Sequence, residues 1–130
     1  MRMTGSKCLL DTSVIIHIFK TTPDIIAKLH TFFEIFVPSI AAGELYYGAY
    51  CSANIEKHLD QTIQFLNDYT LLSPDAVTGD FYGQIKKSLK DKGKPIPEND
   101  IWIASIAIQF NLPLFAVDKH FKEISNIILI

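Results

Sequence analysis

Two aspartates in this 130-residue chain, Asp11 and Asp118, each directly follow a short apolar run, Lys7 to Leu10 and Leu112 to Val117. Such runs read as buried strands, and the carboxyl end of a strand in an open parallel sheet is where ligands bind. If the two strands are neighbours, the carboxylates lie roughly one strand spacing, about 5 Å, apart. Two carboxylates that close repel, so either one holds a proton or a cation sits between them. A hard divalent ion such as Mg2+ or Mn2+ is the usual solution.

Two further acids fall on helices. Glu44 projects from a stripe of Ile40, Ala41, Leu45, Gly48 and Ala49, and an unpaired carboxylate on such an apolar face is costly unless it meets a cation or a cleft. Asp100 shares a helix face with Ala104 and Ala107, small residues that let the helix approach the sheet closely. Each acid also has a plain structural explanation. Asp11 and Asp118 can cap the helices that follow them, while Asp100 and its neighbour Glu98 can complement a helix dipole in the first turn. Four carboxylates on four separate elements are better explained together, by a metal site.

The elements needed to position these groups alternate between short strands and helices. Strands are expected at Lys7 to Leu10, Glu34 to Val37, Thr70 to Leu72, Leu112 to Val117 and Ile127 to Ile130. Helices are expected over Val14 to Phe19, from Thr22 to about Phe33, from Ser39 to Tyr50 and from Asn54 to Asn67. A long one opens at Ser73-Pro74-Asp75 and stops near Gly93, and another covers Glu98 to Asn111. This last helix is apolar almost all round, which places it in the interior. The alternation predicts an α/β domain with a parallel sheet covered on both faces.

Composition bounds the rest. The chain is long enough for one domain with its own core, spanning residues 1–130, and its hydrophobic content of 48% excludes a disordered or fibrous protein. Cys8 and Cys51 are too few for a disulfide scaffold and read as small core residues in a reducing compartment. Asp11 interrupts the N-terminal apolar runs where a signal peptide needs continuity, and no run approaches the roughly 20 apolar residues of a membrane span, so a cytoplasmic protein is expected. The formal charge of -2 alone disfavours a nucleic-acid partner. Assigning four of the 14 acidic residues to a cation leaves 14 less 4, or 10, against 12 basic ones, and that objection disappears.

The motifs Asp11-Thr12-Ser13, Pro38-Ser39-Ile40-Ala41-Ala42-Gly43-Glu44-Leu45, Asn99-Asp100-Ile101-Trp102-Ile103-Ala104 and Leu114-Phe115-Ala116-Val117-Asp118-Lys119-His120-Phe121 together resemble the PIN-domain family. Within it they are most similar to the VapC-type toxin ribonucleases of bacterial toxin-antitoxin pairs. The resemblance implies a three-layer α/β/α sandwich with a parallel sheet of about five strands, and endonucleolytic cleavage of RNA dependent on Mg2+ or Mn2+. It places Asp11, Glu44, Asp100 and Asp118 at the metal-site positions. Asp11 and Asp100 would bind the principal ion, and Glu44 and Asp118 a second ion or the attacking water. Thr12 or Ser13 would support the first carboxylate, with Glu98 as an extra acidic contributor. The partners implied are an RNA such as tRNA or rRNA, a cognate antitoxin and a second copy of the chain. Many relatives carry Thr where this chain has Ala116, which removes one hydroxyl from the neighbourhood of the site.

Other features fit more than one use. Lys86, Lys87, Lys90, Lys92 and Lys94 form a solvated face, some of which can lead RNA toward the acids. Tyr46, Tyr47 and Tyr50 suit an interface or a core. His120, beside Phe121, reads as a turn residue, with contact to substrate or metal as the alternative. A phosphatase of the haloacid dehalogenase type needs a second Asp where Ser13 stands, and no glycine-rich phosphate loop is present. The remaining rival is a PIN-like module that binds RNA or protein without cutting.

Overall fold

The structure, a computed structural model, describes residues 3–130, with side chains from Ser6 onward. Four parallel strands, β1 (Met3–Leu10), β2 (Phe32–Pro38), β3 (Thr70–Leu72) and β4 (Leu114–Phe115), form one sheet in the order β3-β2-β1-β4. Pairs of helices make the crossovers: α1 (Thr12–Phe19) and α2 (Pro23–Leu29), then α3 (Ser39–Tyr50) and α4 (Ile55–Asn67), then α5 (Ala76–Asp91) and α6 (Glu98–Gln109). A short 3-10 helix, Lys119–Glu123, follows β4.

Alternation along the strands builds the two cores of the sandwich. On β1, Leu9 faces α5 and α6, packing with Ile85, Leu89, Ile103 and Ile106, while Cys8 and Leu10 face the other way toward Val14, Ile15, Leu45 and Phe65. Leu114 and Phe115 divide between the same two layers. The expected three-layer α/β/α architecture is therefore present.

Local chemistry accounts for most element ends. Asp75 caps α5 by accepting from the Thr78 N–H at 3.1 Å while Thr78 Oγ1 accepts from the Asp75 N–H, a reciprocal box. Asn54 accepts from the Lys57 N–H at 3.1 Å to start α4. Gly93, with φ of 66°, takes the left-handed position after α5 that residues with a Cβ avoid. Pro38 and Pro97 hold the N-cap positions of α3 and α6.

Three expectations are corrected. Among the described residues the sheet has four strands rather than about five, because Ile127 to Ile130 contributes only an isolated bridge between Leu129 and Leu114. The chain there follows a turn at Ser125 and Asn126, and its backbone meets Leu114 twice, through Leu114 N–H to Ile128 C=O and Ile130 N–H to Leu114 C=O. Helix α2 ends at Leu29, not near Phe33, since Phe32 and Phe33 already belong to β2. Cys51 is exposed at the end of α3, whereas Cys8 is buried and its thiol is pushed up to about 12 by loss of water. No helix among the described residues is long and apolar enough to cross a membrane.

Phe121 is fully buried against Leu9, Ile103 and Leu114, and so clamps the 3-10 helix to the α6 side of the sheet. Phe121→Ala is expected to cost about 3–5 kcal/mol of stability, measured by urea denaturation.

Candidate metal centre

The acids meet at the carboxyl ends of β1 and β4. Those strands pair directly, Leu10 opposite Phe115, and the Asp11 N–H donates to the Phe115 carbonyl at 3.0 Å, so the ladder runs up to the first carboxylate. Asp11 then caps α1: its Oδ2 accepts from the Ser13 N–H at 3.2 Å and from the Ser13 hydroxyl. The same hydroxyl oxygen accepts from the Val117 N–H at 3.3 Å. Ser13 therefore ties the end of β1 to the segment leading to Asp118, a cross-link that spacing alone did not reveal.

Thr12 turns the other way. Its hydroxyl donates to Glu44 Oε1 at 2.7 Å, holding the half-buried Glu44 of α3 toward the end of β1. The support expected from Thr12 or Ser13 is thus divided, Ser13 serving Asp11 and Thr12 serving Glu44. Asp118 caps the 3-10 helix, its Oδ1 accepting from the His120 N–H at 2.9 Å. Asp100 enters from the first turn of α6, where Ala104 and Ala107 are buried as its face requires. Thr12, Gly43, Glu44, Tyr47 and Asn99 line an open hollow of about 650 Å³ beside these acids.

Both structural explanations of the aspartates hold, since Asp11 and Asp118 do cap helices, yet capping leaves their charge uncompensated. Asp100 shows the consequence. Burial, followed by the negative charges of Asp118 and Asp11, raises its carboxyl from 3.8 to about 7, with the positive character of His120 opposing and Glu44 adding a little. The Asp11 carboxyl is also raised, chiefly by burial, against the opposing hydrogen bonds from Ser13 and Thr12. Asp100 Oδ2 is buried and accepts no hydrogen bond. A cluster of hard oxygen donors with one buried oxygen lacking a partner is the chemistry a divalent cation satisfies.

Oxygens of Asp100 and Asp118 and the His120 ring nitrogen all lie within 4.8 Å of one another. His120 is the residue whose place sequence reasoning left open, and the structure turns its Nδ1 inward rather than out with the turn. Glu98, by contrast, stands outside the cluster. It is exposed and engaged by the Lys86 ammonium and the Tyr82 hydroxyl, and Tyr82 stacks on Trp102 with ring centroids 4.2 Å apart. Of the other lysines on that face, Lys87 pairs with Asp91 and Lys92 reaches the Glu123 carbonyl. Tyr47 and Tyr50 lie on the surface, at 73% and 62% exposure, and so are not core residues.

Residues 8–127 match the PIN domain, and the chain belongs to that family. Within it the chain stands among VapC proteins. It is 34% identical over 124 residues to ribonuclease VapC2 of Haemophilus influenzae, covering 94% of this chain and 92% of that protein. It is 33% identical over 129 residues to ribonuclease VapC2 of Rickettsia felis, covering 93% and 94%. Among solved structures, VapBC2 of Rickettsia felis bound to a DNA fragment from its promoter superposes with a TM-score of 0.87 at 30% identity over 95% of this chain and 97% of that one. VapBC-1 of nontypeable Haemophilus influenzae does so with a TM-score of 0.86 at 29% identity over 95% and 96%.

The raised Asp100 carboxyl has a signed consequence for the metal-free protein. A group that binds its proton more tightly folded than unfolded favours the fold below its unfolded value, near 4, and that contribution is lost as pH rises through about 7. Asp100→Asn is therefore expected to raise the melting temperature by several degrees at pH 8 and to leave it nearly unchanged at pH 4. Thermal denaturation in the presence of a chelator, at both pH values, makes the comparison.

Proposed function

We propose that this chain is an endoribonuclease that hydrolyses RNA phosphodiester bonds with Mg2+ or Mn2+, and that it acts as the toxin of a VapBC-type pair, inhibiting translation or growth. The observation that carries the reading is that Asp118, Asp11 and Glu44 all lie close enough to raise the carboxyl of Asp100 at the carboxyl end of the sheet. The VapC ribonucleases to which the chain is similar over nearly its whole length support the reaction class. The VapBC structures support a cognate antitoxin as partner.

In this reading Asp11 and Asp100 hold the principal ion, while Glu44 and Asp118 hold a second ion or orient the attacking water. The bound ion supplies neutralisation of the scissile phosphate, a lowered pKa for water and stabilisation of the leaving 3′-oxygen. The chain's own contribution is to keep the donors aimed before the ion or substrate arrives. Ser13 fixes Asp11, Thr12 fixes Glu44, and the 3-10 turn fixes Asp118, so little rearrangement is needed on binding. Asp11 and Asp100, the two buried acids, both have raised carboxyls and are the ones that gain most from a cation. The open hollow beside Glu44 gives a phosphate backbone room to approach from solvent.

The substrate in this proposal is a structured RNA such as tRNA or rRNA, met in the cytoplasm. A homodimer is part of it, with the exposed Tyr47 and Tyr50 available to an interface. Exposed lysines without a close acidic partner, Lys90 and Lys94 among them, can attract the RNA backbone.

Asp11→Ala is expected to reduce cleavage by about 10³-fold or more, as loss of one member of a group acting as a unit does. Purified protein incubated with total cellular RNA and Mg2+ or Mn2+, with mapping of new 5′ ends beside this variant, is the measurement. Cleavage unchanged in a clean preparation of the variant would sink the reading and leave the non-cutting module in its place.

A further inference from the structure

The His120 ring presents a contradiction that points to a role. Its outer face is open, the side chain being 41% exposed, yet its Nδ1 is buried and makes no hydrogen bond. That nitrogen lies 2.8 Å from Asp118 Oδ1 and 3.3 Å from Asp100 Oδ2, distances at which a pairing is expected, but neither approach has the angles of one. Asp100 Oδ2, on a side chain nine-tenths buried, is likewise without a hydrogen bond. Three donor atoms thus converge without satisfying one another. Donors at right angles on one ion, at bond lengths of about 2.1 Å, lie about 3.0 Å apart, close to the 2.8 and 3.3 Å that separate Nδ1 from the two carboxylate oxygens.

We propose that His120 is a nitrogen ligand of the metal centre, donating Nδ1 beside Asp100 and Asp118, and that it tilts the site toward Mn2+ over Mg2+. The inference rests on the metal-dependent reading above and adds a residue and a selectivity to it. Both ions favour oxygen donors, but Mg2+ gives up its water reluctantly and gains little from imidazole, whereas Mn2+, a first-row transition ion, accepts a nitrogen donor more readily. The position is held independently of the ring: the His120 backbone N–H caps Asp118, and buried Phe121 follows it, so a substituted side chain leaves the turn in place. The opposite role is a positive counter-charge that quiets the carboxylates and competes with any cation. The two roles differ in sign.

The test is calorimetric titration of the purified, chelator-stripped chain with MnCl2 and, separately, MgCl2, for the wild type, His120→Gln, His120→Ala and Asp100→Asn. As a ligand, His120 requires that both His120 variants bind Mn2+ about tenfold or more weakly while Mg2+ affinity changes by less than about threefold. An unchanged Mn2+ to Mg2+ ratio, or tighter binding of both ions, overturns the proposal and makes the ring a counter-charge. Wild-type protein that binds neither ion overturns the metal reading as well. Wild-type binding that Asp100→Asn weakens, with the His120 variants unaltered, keeps that reading and removes this one. Circular dichroism of each variant checks the fold.

Discussion

The burial of Asp100 among the negative charges of Asp118, Asp11 and Glu44 is the constraint around which the rest of this structure is arranged. Left to itself, the chain would separate Asp11, Asp100 and Asp118 or keep them in water. Instead it buries Asp100 so far that its carboxyl holds a proton to about pH 7. An arrangement that costs stability in the absence of a cation persists because backbone pairing, helix packing and the small residues beneath α6 leave these side chains no other place to go.

Each layer of the sandwich contributes to that confinement. The adjacency of β1 and β4 makes Asp11 and the segment before Asp118 neighbours, and Ser13 bonds to both sides of that junction. Helix α3 follows β2, so Glu44 rises from the same end of the sheet. Helix α6 presents Ala104 and Ala107 where a larger residue would hold Asp100 away from the strands. The site is therefore a property of strand order as much as of the acids, because any other neighbour for β1 would have put Asp118 elsewhere.

Much of this was legible in the residues. The alternation of short apolar runs with helical stripes was enough to imply a parallel sheet, and the positions of Asp11 and Asp118 directly after two of those runs were enough to bring them to the same end of it. Local signals also marked Asp75, Asn54 and Gly93 as element ends. What escaped was set by tertiary neighbours. Ile127 to Ile130 has the composition of a strand, but its ladder does not extend beyond a single bridge at Leu114, on a strand only two residues long. Glu98 has the right type and spacing for the site, yet Lys86 and Tyr82 on α5 take it first. Trp102, counted with the interior of α6, is instead stacked on Tyr82 and only half-buried. The inward turn of His120 depends on a 3-10 helix, which no periodicity distinguishes from an ordinary turn.

The four acids are also spread across the length of the chain, and the last of them, Asp118, is followed closely by the clamp at Phe121 and the bridge at Leu129. β4 can pair with β1 only once more than a hundred intervening residues exist. During synthesis, then, Asp11, Glu44 and Asp100 emerge before the segment that brings Asp118 beside them. A nascent chain that stops before Asp118 lacks both that carboxylate and the buried Phe121 that follows it, so the four acids cannot assemble in it.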